Sequence, residues 1–225
     1  MAASPVQVQC AGRTDAGVHA LLQVAHFDVS VEREDHAWVL GGNANLPAGI
    51  SILWAVNVVD DFHARFSATG RTYRYVILNR RARPGLLQGR VSWEYRPLQV
   101  ARMIEASGAL IGEHDFTSYR AVACQAKSPI RDVRRLEISQ QGEFIVIEIE
   151  ANAFLHHMVR NIAGVLMAIG MGKEKTAWAA EVLAARDRTL GGVTAPADGL
   201  YLVDVQYPSH YQLPVSTVPG KLLLA

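Results

Sequence analysis

Residues 133–151 read VRRLEISQQGEFIVIEIEA, two runs of alternating apolar and polar side chains separated by Gln140, Gln141 and Gly142. A period of two places Ile145, Ile147 and Ile149 on one face of a strand and Glu148 and Glu150 on the other. Two such runs joined by a short polar turn make an antiparallel hairpin with one face on a core. Something apolar must cover that face, and the next segment supplies it. In NAFLHHMVRNIAGVLMAIG, Phe154, Met158, Ile162, Val165 and Ile169 recur at helical spacing and define a buried stripe.

The remaining segments build outward from this hairpin and helix. TYRYVILN (72–79) reads as a further strand, helices are expected from about Leu98 to Ile111 and around Trp178 to Arg186, and DGLYLVDVQY supplies a turn and a last strand. Nearer the N-terminus, PVQVQC reads as a short strand and LLQVAHFDV (21–29) as its partner. REDHAWVLGGNANLP reads as a short helix ending near Gly41 and Gly42, and ISILWAVNVV as a largely apolar strand suited to a buried sheet. Strands and helices that alternate irregularly, with hairpins, indicate an α+β fold of antiparallel sheets flanked by helices. A boundary near Asp60 to Phe62 divides the chain into an N-terminal α/β domain, 1–61, and a C-terminal α/β domain, 62–225. The tail after Pro208 is expected to be irregular.

Several function classes lose ground. There is no apolar run of about 18 residues to span a bilayer, and the start of the chain lacks the charged and apolar regions of a signal peptide. The expected location is the cytoplasm, with no membrane partner. Cys10 and Cys124 stand far apart and form no C-x-x-C pair, so they read as reduced thiols. The chain has no G-x-x-x-x-G-K-[ST], no G-x-G-x-x-G after a strand, no H-E-x-x-H and no G-x-S-x-G. His156 and His157, read as neighbours on a helix, diverge by about 100° and make a poor metal pair; a surface or supporting role is expected for them, and no metal site.

The formal charge of +1 is uninformative, but its distribution is not. From Phe62 to Arg90 the chain carries Arg65, Arg71, Arg74, Arg80, Arg81, Arg83 and Arg90 with no Asp, Glu or Lys. Arginines interleaved with Phe66, Tyr73 and Tyr75 suit phosphate forks and base stacking, or else a solvated hairpin. The loop QCAGRTDAGVHA (9–20) sets the lone carboxylate Asp15 beside Arg13 between glycines. An aspartate there is an ordinary turn-former. Three other segments point to a second reading. Tyr73 lies in a strand on the opposite face from Arg74, Arg160 falls on the polar side of its helix one turn before Gly164, and Leu200 begins a strand after a D-G turn. A carboxylate kept ionised by an arginine, with an aromatic plane and an aliphatic wall, would form a pocket for a flat, uncharged base.

These residues resemble the TruA family of tRNA pseudouridine synthases. CAGRTDAGVHA is similar to that family's signature loop, and the likeness continues through NANLP, DDFHARFSATGRTYRYVI, GEHDFTS, ANAFLHHMVRNI and DGLYLV, so it covers nearly the whole chain. The resemblance implies the two-domain pseudouridine synthase fold and isomerisation of uridine to pseudouridine in the 3′ arm of the tRNA anticodon stem-loop, without metal or organic cofactor. It further implies Asp15 as nucleophile, Arg13 as the arginine that extrudes and holds the flipped nucleotide, and Tyr73 as the tyrosine stacked on the uracil. Arg160 corresponds to the basic partner of the aspartate and Leu200 to the pocket's hydrophobic wall. Arg65, Arg71 and Arg74 become part of a tRNA-binding track, and the family's homodimer, with tRNA spanning both subunits, is the expected assembly.

The chain departs from the family in one respect: relatives carry a strand and a helix ahead of the segment with which this chain begins. The N-terminal domain is therefore expected to be truncated, its first sheet short of a strand, with an unpaired edge or an exposed core face. Two rival readings follow. A catalytically silent tRNA-binding remnant would bind tRNA regardless of Asp15→Ala and form no product, and a hydrolase using Asp15 as base would release free uracil or a cleaved ester.

Overall fold

The computed structural model describes residues 4–214. Its N-terminal segment forms three two-residue strands, β1 (Gln9–Cys10), β2 (His19–Ala20) and β3 (Ala25–His26). β1 and β3 pair antiparallel with Gln9 opposite His26, so the Asp15 loop links two partnered strands, each shorter than its apolar run suggests. The helix α1 (Asp35–Asn43) lies where the sequence places it. ISILWAVNVV, in contrast, forms no strand. An apolar run becomes a strand only when a neighbour satisfies its N–H and C=O groups, and residues 50–59 join no ladder. Asn43 brackets Ile52 instead, donating to its carbonyl at 2.9 Å and accepting from its amide at 2.7 Å, while Ile50, Leu53 and Val59 stay exposed.

The principal sheet adds to β2 six strands from the rest of the chain: β4 (Gly70–Asn79), β5 (Ser92–Glu94), β6 (Gly112–Asp115), β7 (Ile130–Gln141), β8 (Phe144–Ala151) and β9 (Leu200–Gln206). Its order is β2-β9-β4-β8-β7-β6, with β5 on the end of β4. β4 runs antiparallel to both β8 and β9, and β7 with β8 forms the hairpin that their alternation predicts, with Gly142 at φ 57° in the turn. The sheet is nevertheless mixed, not purely antiparallel, because β2 joins β9 and β5 joins β4 in parallel. Both reach their partners by long connections, which, unlike tight hairpins, permit parallel entry.

Three helices, α2 (Val100–Ser107), α3 (Met158–Gly170) and α4 (Trp178–Ala185), cover one face of this sheet. Met158, Ile162, Val165 and Ile169 are fully buried against Tyr75, Ile77 and the three isoleucines of β8. Each such side chain contributes about 1.5–3 kcal/mol by leaving water. α3 begins at Met158, later than the stripe predicts, so Phe154, His156 and His157 precede it; His157 adopts a left-handed conformation, φ 61°. On the opposite face Val76, Leu78 and Val91 form a smaller cluster. A further cluster, beside Tyr73 and not on this face, gathers Ala11, Val24, Phe62, Ala64, Leu202 and Val205. Between the N-terminal segment and this face runs a cavity of about 1010 Å³ lined by Val24, Trp38, Ile52, Trp54, Val76 and Val91, among others. Among the described residues no helix is long and apolar enough to cross a membrane.

Candidate active site

The loop around Asp15 is tied down on both sides. Ala11 donates to the Val24 carbonyl at 2.8 Å, and the Gln23 amide brackets Gly12, donating to its carbonyl at 2.6 Å and accepting from its N–H at 3.3 Å. At its far end Leu21 donates to Leu202 of β9 at 2.8 Å, and Val18 closes a turn onto the Asp15 carbonyl at 2.9 Å. Two glycines are needed here. Gly17 has φ +82°, and a Cβ at Gly12 would stand 3.1 Å from the Tyr73 hydroxyl. The turn-forming role open to Asp15 is taken by its backbone, which leaves the carboxylate free to project.

That carboxylate meets two imidazoles. Nε2 of His156 and Nε2 of His157 each lie 3.3 Å from Oδ2 of Asp15, and their rings pack 4.0 Å apart. The three groups gather within 4.8 Å of one another. Both imidazoles converge on the same carboxylate oxygen, so the cluster is a set of side chains gathered around Oδ2 of Asp15. This corrects the divergent helical placement read from the sequence: ahead of α3 the two side chains converge. Burial lowers the His157 pKa, His156 and Arg160 lower it further, and Asp15 opposes them.

Tyr73 sits in β4 opposite Ile149 and Leu202, and the edge of its ring meets Phe154 with centroids 4.9 Å apart. Burial pushes its phenol up to about 12; the nearby charge of Asp15 adds to this and that of Arg71 opposes it. The hydroxyl therefore stays protonated at neutral pH. Arg71, two residues earlier, is itself buried. Its guanidinium donates to the carbonyls of Ala68, Asn152 and Ala11, each at 3.2 Å, and to that of Arg65. It fastens the start of the Asp15 loop to the turn before Phe154.

Arg160 is one turn into α3. Its Nε donates to the Ala195 carbonyl at 2.8 Å, and the Ala195 amide donates back to the Arg160 carbonyl at 3.1 Å. The partner that the structure gives Arg160 is thus a loop carbonyl, and the partners of Asp15 are the histidines. Gly164 is what lets that loop approach: a Cβ there would fall 1.9 Å from the Val193 carbonyl oxygen. Asn161 adds a further tie, accepting from Thr194 at 2.6 Å and donating to Tyr119 at 2.7 Å. Tyr75 donates to the Pro196 carbonyl at 2.8 Å, and Leu200, buried at the start of β9, lies opposite Tyr75.

The arginines of 62–90 divide. Arg65, Arg81, Arg83 and Arg90 are exposed, and Arg65 lies over the exposed ring of Phe66 at 5.7 Å. Arg74 pairs with Glu148 at 2.7 Å directly across β4 and β8, and Arg71 is engaged inside the fold. Arg13 is exposed on the Asp15 loop. The large cavity takes in Thr14, Val18 and His19 of that loop and leaves out Asp15, Tyr73, His156 and His157. The sequence assigns His156 and His157 a surface or supporting role but not their convergence on Asp15, and it does not show the internal use of Arg71, since no local pattern brings a distant carboxylate to a histidine or distinguishes a buried arginine.

Comparison with known proteins gives concordant results. Residues 106–208 match the family model described as tRNA pseudouridine synthase. The chain is 62% identical to the tRNA pseudouridine synthase A of Nitrosococcus oceani over 214 residues, 95% of this chain and 83% of that protein. It is 57% identical to that of Alcanivorax borkumensis over 209 residues, 93% and 78% of the two chains. The counterpart in Klebsiella pneumoniae is 54% identical over 225 residues, all of this chain and 83% of that one.

Proposed function

The chain belongs to the tRNA pseudouridine synthase A family, and we propose that it isomerises uridine to pseudouridine in tRNA with Asp15 as nucleophile. The observation that carries the assignment of Asp15 is its carboxylate, projecting from a loop fixed at both ends, with one oxygen held by two imidazoles beside a partly buried tyrosine. The reaction breaks the C1′–N1 bond, turns the uracil and forms a C1′–C5 bond, with loss of the C5 proton while N1 gains one. It is redox-neutral and retains every heavy atom of the base, so it calls for no co-reactant.

In this reading Asp15 attacks a nucleotide flipped out of the stack. Tyr73 stacks on the detached uracil, Leu200 and its neighbours wall the pocket, and Arg13 holds the displaced backbone. Arg160 acts on the site by fixing the 193–195 loop and adds positive charge near the carboxylate. The exposed arginines, led by Arg65 over Phe66, supply phosphate contacts and stacking. Residues 1–61 then carry the catalytic loop and 62–225 the sheet and helices against which it works, in a homodimer acting on tRNA in the cytoplasm. The target is the 3′ arm of the anticodon stem-loop. Incubation with an unmodified tRNA transcript, followed by a carbodiimide adduct that halts reverse transcription at pseudouridine, tests this. Stops confined to that arm are expected; stops elsewhere, or none, overturn the reading.

A further inference from the structure

We infer that His157, assisted by His156, is a positioning residue for Asp15, and that the chain keeps His157 in a left-handed backbone conformation in order to turn its imidazole onto that carboxylate. The inference rests on Asp15 as the reacting carboxylate. Three described non-glycine residues have positive φ: His157, Arg186 and Gln212. Arg186 and Gln212 each follow the C-terminal end of a helix, where a left-handed residue is ordinary. His157 stands at the N-terminal end of α3, where the capping residue is normally extended and its side chain accepts from the first turn. His157 does neither: its side chain forms no cap bond, and its ring instead reaches Asp15. A strained backbone and a forgone cap at one residue, next to a candidate nucleophile, mark a conformation kept for its side chain.

The chemistry of the contact agrees. Both imidazoles address Oδ2 of Asp15, so that oxygen is held and Oδ1 remains available to attack. The groups acting on His157 are His156 and Arg160, which disfavour its protonation, and Asp15, which favours it. At neutral pH a neutral imidazole donates one N–H and orients the carboxylate without neutralising it. As pH falls through the lowered His157 pKa, the imidazolium binds Oδ2 as a full ion pair and makes the carboxylate a poorer nucleophile. kcat therefore falls on the acid side.

The test uses two substitutions with opposite demands on backbone and side chain. His157→Gly removes the strain and the imidazole together, and His157→Asn tolerates the left-handed backbone while keeping an N–H donor. Thermal midpoint, kcat and KM for tRNA are measured for both across the acid range. The expected result for His157→Gly is an unchanged or raised midpoint, an unchanged KM and a kcat lowered about tenfold to a hundredfold, the range that misplacing a reacting group costs. His157→Asn is expected to recover part of that loss and to lack the acid limb. Wild-type kcat in His157→Gly overturns the inference, as does a parallel loss of midpoint and activity, which assigns the residue to folding alone. An active Asp15→Ala overturns the reading of Asp15 itself, whereas an inactive Asp15→Ala beside a fully active His157→Gly overturns the positioning role alone.

Discussion

Tyr73 and Arg71 sit two positions apart on one strand and differ in what they do. The Tyr73 phenol, raised to about 12 mainly by burial, is no base at neutral pH, and the proposed role rests on its ring as a stacking plane. Tyr73→Phe should keep activity within about tenfold, the lower bound for removing a proton-transfer group being about a hundredfold. Tyr73→Ala, which removes the stacking plane, should lose more than that; single-turnover rates distinguish the two. Arg71→Met would leave four carbonyls without this donor and is expected to destabilise the fold by at least about 1–3 kcal/mol, the range for leaving a buried acceptor unsatisfied. Urea unfolding measures it, and Arg65→Ala should leave that stability unchanged while weakening tRNA binding. Asp15, Tyr73, Arg160 and Leu200 stand out in the sequence because each interrupts a local pattern: an acid between glycines, an aromatic among arginines, a cation on an apolar helix, an aliphatic after a turn. The histidines interrupt nothing, since the stripe from Phe154 to Ile169 passes them in unbroken helical phase.

Between elements, the approach of the 193–195 loop to α3 rests on the missing side chain of Gly164. A Cβ 1.9 Å from the Val193 oxygen cannot be accommodated without moving backbone. Gly164→Ala is therefore expected to destabilise the protein by about 1–3 kcal/mol, as overpacking does, and to lower turnover per folded molecule by displacing Ala195 from Arg160. Denaturant titration with activity on the same samples checks both, and a stable, fully active variant would show that this junction does not support the site. Periodicity made β7, β8, the body of α3, α2 and α4 legible, because each buries one face and repeats its pattern often enough to be read. It misled for residues 50–59, where apolar composition suits a strand but no neighbouring strand offers hydrogen bonds, and at the start of α3. There Phe154 and Leu155 are drawn inward by Tyr73 and the core, not by helical phase. The mixed character of the sheet was equally hidden, since parallel entry by β2 and β5 depends on partners far away in sequence.

Taken as a whole, the molecule mounts its candidate site where three separate parts of the chain converge: the glycine loop of residues 9–20, the middle of β4 and the start of α3. A helix-covered sheet holds the second and third rigid, while Arg71 lashes the first to them and Gln23 braces that loop from within the N-terminal segment. The exposed arginines lie on the connections around this assembly, which suits a large polyanionic substrate presenting one nucleotide at a time. The most direct measurement is release of tritium from C5 of uridine in a labelled tRNA transcript, by this chain and by its Asp15→Ala variant. Formation of the C1′–C5 bond requires that C5 lose its hydrogen, so the label enters water only if isomerisation runs to completion. Asp15 as nucleophile requires release by the unaltered chain and none by the variant. Equal release by both, or none by either while tRNA remains bound, would contradict it.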